Sequence, residues 1–129
     1  MPLQKFLDWL GFRKGIEAPE GVRAKFYLKY EDLLVGTLSV QDGIWSFEYS
    51  DEFRHSDLLR PIVEFPDVSR TYESKELWQF FASRIPSPEH AEVEEILRRE
   101  HIEEGDAVSL LKRFGRRTVA NPFYLEAAA

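Results

Sequence analysis

Few residues of this sequence have the types and spacing that chemistry would need. Ser109 and Lys112 match the Ser-x-x-Lys spacing of some acylating hydrolases, in which a serine nucleophile lies one helical turn from a lysine. The companion motifs of those enzymes are missing from the sequence, and the neighbouring residues have the apolar spacing of a core helix. We therefore interpret the pair as the polar side of a helix near its C-terminus, where a lysine cation is favourable.

Metal binding and acid–base catalysis have no better support in the sequence. His90 and His101 could share one face of a helix, but they would lie about 16 Å apart, too far to bind one ion. His55 has no second histidine at ligand spacing. The acidic residues between 89 and 104 are predicted to form a solvated helix face, because nothing suggests the burial that shifts a carboxyl pKa. The seven glycines form neither a P-loop nor a dinucleotide fingerprint.

The sequence thus predicts no catalytic residue, no metal site and no cofactor, and we expect a protein that is not an enzyme. A role in binding another macromolecule is the remaining class. Two clusters of residues are candidates for such binding.

The first candidate is a basic cluster near the C-terminus. It comprises Lys112, Arg113, Arg116 and Arg117, with no acid among residues 112–117. Cations at the end of a helix can simply complement its negative dipole. They can also contact a phosphate or an acidic protein, and the sequence leaves both readings open.

The second candidate is Trp78. It falls in a predicted helix from Lys75 to about Ser83, in which Leu77, Phe80 and Phe81 share the core-facing side. Trp78 is turned about 100° from Leu77, on the shoulder of that apolar arc. It can therefore lie at the edge of the core, or it can project as an anchor for a partner protein.

Composition fits one folded domain in a reducing compartment. The chain has 129 residues, no cysteine and 14% aromatic residues. Its formal net charge of −6 does not favour nucleic acid as a partner of the whole domain. No secretion signal and no apolar run of about 18 residues is present, so we expect a cytoplasmic protein without a membrane contact.

Alternating apolar residues predict a β-meander in the first half. Its strands cover residues 25–30, 34–40 and 44–49, joined by a turn at Glu31-Asp32 and a hairpin at Asp42-Gly43. The third strand places Trp45, Phe47 and Tyr49 on one inner face. Residues 62–65 are predicted to form a short fourth strand between two prolines, after an irregular segment with one helical turn. Residues 118–119 are a candidate for a last strand.

Helical signals surround this sheet. An N-terminal amphipathic helix is expected from the apolar stripe between Leu3 and Leu10. Ser74, Ser87-Pro88 and Asp106 are predicted to begin three further helices, and Gly115 to end the last one. The expected fold is α+β: a small antiparallel sheet of four or five strands with about three helices packed on it. Residues 1–20 would form the helix and a linker, 21–125 the domain, and 126–129 a tail.

Four segments in this order resemble the N-terminal subdomain of HipA-type serine/threonine kinase toxins. They are Leu34–Leu38, with its V-G-x-L motif, the F-x-Y strand Trp45–Tyr49, the Phe-rich helix Leu77–Pro86 and the helix end Leu110–Gly115. The resemblance covers about residues 24–125. In that family a kinase core follows in the same chain, whereas this sequence ends at Ala129 without its phosphate loop or catalytic aspartate.

A free-standing copy of this subdomain is similar to the HipS antitoxins of bacterial HipB–HipS–HipT systems. The resemblance implies that the chain inhibits a HipT-like kinase toxin in trans, in a complex with a HipB-like helix-turn-helix subunit that binds the DNA. HipA chains typically have Phe where this chain has Trp78, and a larger ring could block the kinase cleft. The expected partner-binding residues are Trp78, Phe81, Arg84, Lys112, Arg113, Arg116 and Arg117.

Two other functions remain open. The chain could be an activating or assembly subunit of a split kinase, which would raise phosphorylation. It could also be a regulator that binds nucleic acid through Lys112–Arg117, although no direct contact with nucleic acid is expected from the resemblance.

Overall fold

The structure is a computed structural model that describes residues 21–116 and 122–128. Within these residues, three consecutive strands come first and the helices follow mostly in succession, which is the order of an α+β fold. The elements are β1 Arg23–Tyr30, β2 Leu33–Gln41, β3 Ile44–Tyr49, α1 Asp51–Arg54, β4 Tyr72–Ser74, α2 Gln79–Ala82, α3 Ala91–Arg99, α4 Ala107–Phe114 and β5 Phe123–Ala127.

The five strands form one antiparallel sheet in the order β4-β3-β2-β1-β5. The predicted α+β fold and its N-terminal meander are therefore confirmed. Both predicted turns join the meander, with positive φ angles at Glu31 (52°), Asp42 (51°) and Gly43 (79°). Positive φ at both Asp42 and Gly43 is the geometry of the favoured two-residue hairpin turn.

One face of this sheet carries the hydrophobic core. The predicted inner face of β3 is confirmed, because Trp45, Phe47 and Tyr49 are all buried. The ring of Phe47 lies at the centre, within 4.5 Å of the Phe65 ring centroid and 5.6 Å of that of Phe81. Strand β3 is thereby packed against the loop that contains Phe65 and against helix α2, which contains Phe81.

The last long helix follows its sequence signals. The Asp106 side chain accepts a hydrogen bond from the Ser109 backbone N–H at 3.1 Å, as expected of an N-cap. Gly115 directly follows α4, and its carbonyl accepts a bond of 2.8 Å from the Leu125 N–H of β5. The single helical turn expected after β3 is α1, for which Ser50 is the N-cap.

The predicted strand at residues 62–65 and the predicted cap at Ser74 are both wrong. Residues 62–65 form a tight turn, in which the Phe65 N–H bonds the Ile62 carbonyl at 2.8 Å. The fourth strand is β4, which pairs with β3 through Ser74 and Tyr72. A polar three-residue edge strand has little apolar alternation, so its pairing is a tertiary effect. Helix α2 consequently begins only at Gln79.

Two other boundaries also differ from the expectation. Helix α3 begins after His90 rather than at Pro88, because Ser87 bonds the Glu89 N–H within a turn. His101 lies beyond α3 with a φ of 56°, so the two histidines do not share a helix. The expected tail at 126–129 is wrong in part, since β5 includes Glu126 and Ala127 and pairs with β1. The predicted elements at 3–10 and 118–119 lie outside the described residues.

Gly36, the glycine of the V-G-x-L motif, is required by close packing of β2 on β3. A Cβ atom there would lie 2.5 Å from the Glu48 carbonyl oxygen and 2.7 Å from Cζ of Phe47. Neither the strand backbone nor a ring at the centre of the core can move away cheaply. A methyl group therefore cannot be accommodated without separating the two strands.

We expect Gly36→Ala to lower the free energy of unfolding by about 2 kcal/mol or more, as overpacking of a core does. Gly105→Ala is the matched control, because a Cβ atom at Gly105 meets nothing within 4 Å. Urea denaturation of both variants measures the difference. Equal stability of the two variants would contradict this account of Gly36.

Candidate partner-binding surface

The tight turn at residues 62–65 is held by the buried hydroxyl of Tyr49. This hydroxyl accepts a hydrogen bond of 2.9 Å from the Ile62 N–H and donates one of 2.6 Å to the Phe65 carbonyl oxygen. Burial raises the pKa of Tyr49 to about 12, because the phenolate would lose its hydration. The neutral phenol thus binds both ends of the turn, one as acceptor and one as donor.

This arrangement buries the ends of the turn and exposes its middle. Ile62 and Phe65 are 8% and 0% exposed, whereas Val63 between them is 93% exposed. An isolated exposed valine is ordinary, but this one stands on a backbone that is fixed from both sides. Val63 is therefore an apolar side chain presented to solvent on a rigid support.

The same turn is joined to helix α2. A carboxylate oxygen of Glu64 accepts a hydrogen bond of 2.8 Å from the Phe80 backbone N–H, in the first turn of α2. Such a bond satisfies a donor that has no partner within the helix. Glu64 therefore fixes α2, and the residue that precedes it, relative to Val63.

Trp78 lies directly before α2, at its N-cap position. Its indole ring is half-buried and packs edge-on against Phe65, with 5.0 Å between ring centroids. A second edge contact is made to Phe81 at 6.5 Å. The sequence left open whether Trp78 lies at the edge of the core or projects toward a partner. In the structure it does both, because part of the indole packs on the core and the rest is accessible to solvent.

We call Val63, Glu64 and Trp78 together the Val63–Trp78 surface. The indole of Trp78 packs on Phe65, and the Glu64 carboxylate joins the loop to the first turn of α2, which follows Trp78. The exposed side chain of Leu58 lies in the same loop segment. An accessible tryptophan with a fixed rotamer environment is the type of residue that dominates protein–protein binding.

Two other expected contact residues have internal roles. Phe81, which was expected to contact a partner, is 0% exposed and packs among Phe47, Phe65 and Phe80 in the core. Arg84 is mostly buried; it stacks on the Phe80 ring at 5.2 Å and donates a 2.7 Å bond to the Phe123 carbonyl.

Arg84 thereby connects α2 to strand β5. Burial lowers the pKa of Arg84 below its usual value, although a guanidinium remains charged at neutral pH. These contacts give Arg84 a role in packing, and its direct contact with a partner stays a prediction.

The basic cluster is divided between different surroundings. Arg113 forms two hydrogen bonds of 2.9 and 3.0 Å to the Glu100 carboxylate and lies over the Phe114 ring. Lys112 and Arg116 are exposed at the end of α4, and Arg117 lies outside the described residues. Arg113 therefore joins α4 to the end of α3, whereas Lys112 is accessible to a ligand.

Within residues 21–116 and 122–128, no three His, Asp or Glu side chains come together as metal ligands. None of the helices described is long and apolar enough to cross a membrane. The Val63–Trp78 surface lies on the core side of the sheet, at the loop 62–65 and the start of α2.

The described residues thus form a five-stranded antiparallel sheet with short helices, and its core side bears the Val63–Trp78 surface. The family model of the HipA N-terminal domain matches residues 27–120. This match covers well over half of the sequence, and the chain therefore belongs to the HipA N-terminal domain family. A search of individual curated proteins gives no match.

Sequence reasoning missed Val63 and Glu64. The apolar segment 62–65 has the residue types of a strand, and a strand would have buried every second side chain. The two flanking prolines were the available signal, since Pro61 and Pro66 are as compatible with a turn as with an edge strand. The turn is stabilised by the hydroxyl of Tyr49, which lies thirteen residues before Ile62 in the sequence and is therefore invisible to a local pattern.

We expect Tyr49→Phe to lower the free energy of unfolding by about 1–3 kcal/mol, because it leaves two buried backbone groups without their partner. Hydrogen exchange should accelerate most at the Ile62 amide, whose bond to the hydroxyl is lost. Tyr27→Phe on β1 is the control, with the same atom removed from a half-buried ring. Unchanged exchange at Ile62 would contradict the role assigned to Tyr49.

Tyr49 should also make stability depend on alkaline pH. Between its ordinary pKa of 10.0 and about 12, the phenol is ionised in the unfolded chain but neutral in the fold. The folded state then binds more protons, so the free energy of unfolding falls as pH rises through this range. Urea denaturation at pH 9 to 11 should show a steeper decline for the parent protein than for Tyr49→Phe. Parallel declines would exclude Tyr49 as the source.

Proposed function

We propose that this protein binds a HipA- or HipT-like serine/threonine kinase in trans and inhibits it, as the antitoxin of a bacterial toxin–antitoxin system. In this proposal it has no catalytic activity of its own and acts in the cytoplasm. A HipB-like helix-turn-helix protein is the expected third subunit. The family assignment supports the proposal, because the HipA N-terminal domain is by name a part of a HipA-type protein.

The observation that carries the proposal is the accessible part of Trp78 on a rigid aromatic support. Binding costs less conformational entropy when the anchoring side chain is already held in place. Here the Phe65 ring, the α2 backbone and the Glu64 carboxylate hold it. Val63, which is 93% exposed, is a second apolar side chain that a partner can contact.

The Val63–Trp78 surface suggests how inhibition would work. A kinase needs both its nucleotide and its substrate in line within one cleft, and much of its catalysis is positioning. An indole placed at the rim of that cleft would exclude one of the two without any covalent change. Inhibition would therefore be reversible and stoichiometric, and it would depend on ring size at position 78.

We expect Trp78→Ala to weaken binding to the co-encoded HipA-type kinase by about 30-fold, which is about 2 kcal/mol for an aromatic anchor. Val63→Ser should weaken binding by several-fold, because Val63 is 93% exposed before binding. Val22→Ser is the matched control, since Val22 is also exposed but precedes β1. Calorimetric titration and a phosphorylation assay give binding and inhibition, and circular dichroism verifies folding.

Trp78→Phe separates a folding defect from a loss of contact, because phenylalanine keeps an aromatic ring against Phe65. This variant should remain folded and inhibit less than the parent protein. A rise in phosphorylation on addition of the parent protein would overturn inhibition in favour of an activating subunit. Unchanged binding by Trp78→Ala would remove the Val63–Trp78 surface from the interface.

A further inference from the structure

The face of the sheet opposite the core forms a polar concavity of about 680 Å³. Side chains at alternate positions of β1, β2 and β3 line it, since these residues point away from the buried face. Its central row pairs Lys25 with Ser39 and Ser39 with Ser46 across the three strands. We call this concavity the sheet-face groove.

The sheet-face groove is positively charged in a chain whose formal net charge is −6. Arg23 and Lys25 of β1 line it, together with the exposed Lys112 of α4, whereas Glu48 is its one lining acid among the described residues. The three cations create a local positive potential that attracts an anionic ligand, whereas the acidic remainder of the domain repels one. The accessible member of the basic cluster thus contributes to this groove.

The spacing of the cations matches an extended acidic peptide. Arg23 and Lys25 are two residues apart on one strand face, which places their Cα atoms about 7 Å apart. Carboxylates at alternate positions of an extended chain have the same repeat. The hydroxyls of Ser39 and Ser46 can donate or accept hydrogen bonds with the polar groups of such a chain.

We propose that the sheet-face groove binds an extended segment of a partner protein that carries acidic side chains at alternate positions. Arg23 and Lys25 bind two successive carboxylates, and Lys112 binds a third from the side of α4. This site is separate from the Val63–Trp78 surface, because Trp78 packs on the core side of the sheet through Phe65 and Phe47. The inference therefore does not depend on inhibition of a kinase.

The test uses a fluorescein-labelled peptide of alternating Thr and Glu residues and the same peptide with Gln for Glu. Fluorescence anisotropy with the full chain should show about ten-fold tighter binding of the Glu peptide, as three partly exposed charge pairs allow. Lys25→Gln and Lys112→Gln should each weaken it about three-fold. The affinity should fall with added salt.

Two controls decide between specific binding and a general charge effect. Arg99→Gln changes the net charge equally on the exposed end of α3, outside the groove, and should leave the affinity unchanged. Trp78→Ala should also leave it unchanged, even if that variant no longer binds a kinase. Equal binding of the Glu and Gln peptides, or equal weakening by Arg99→Gln, would overturn the proposal. Tighter binding of a labelled oligothymidylate that is lost in Lys25→Gln would replace it with a nucleic-acid site.

Discussion

The hydroxyl of Tyr49 is the interaction on which the candidate surface depends. It is the sole side-chain oxygen described here that binds both ends of the turn at residues 62–65, and it does so from inside the core. The buried ends of this turn need partners for their backbone groups, because an unpaired group there costs about 1–3 kcal/mol. Once those partners are supplied, Phe65 is directed into the core, Val63 is directed outward, and Trp78 has a fixed ring to pack against.

Packing around Phe47 extends this constraint through the domain. The ring contacts Tyr49, Phe65 and Phe81, so β3, the loop and α2 form one aromatic cluster. Gly36 allows β2 to approach that ring closely. A binding surface built on such a cluster is rigid before the partner arrives, which is how a small domain can bind tightly through few residues. The V-G-x-L and F-x-Y motifs are thus packing motifs.

The two sides of the sheet have different physical character and suit different ligands. The core side ends in an apolar surface with an indole, which favours desolvated contact with a folded protein. The opposite side is polar and positively charged, which favours an anionic segment and depends on ionic strength. A domain of this size could in this way contact a folded partner and an extended acidic segment at the same time.

The amino-acid sequence by itself determined the meander, the buried face of β3, the turn at Asp42-Gly43 and the cap at Asp106. Each is set by neighbours within a few residues, through side-chain alternation, positive φ or a local hydrogen bond. Tertiary structure alone decided the turn that exposes Val63 and the pairing of β4 with β3. These depend on contacts between residues distant in the chain, such as Tyr49 with Ile62, and no local pattern encodes which distant group will satisfy a backbone donor.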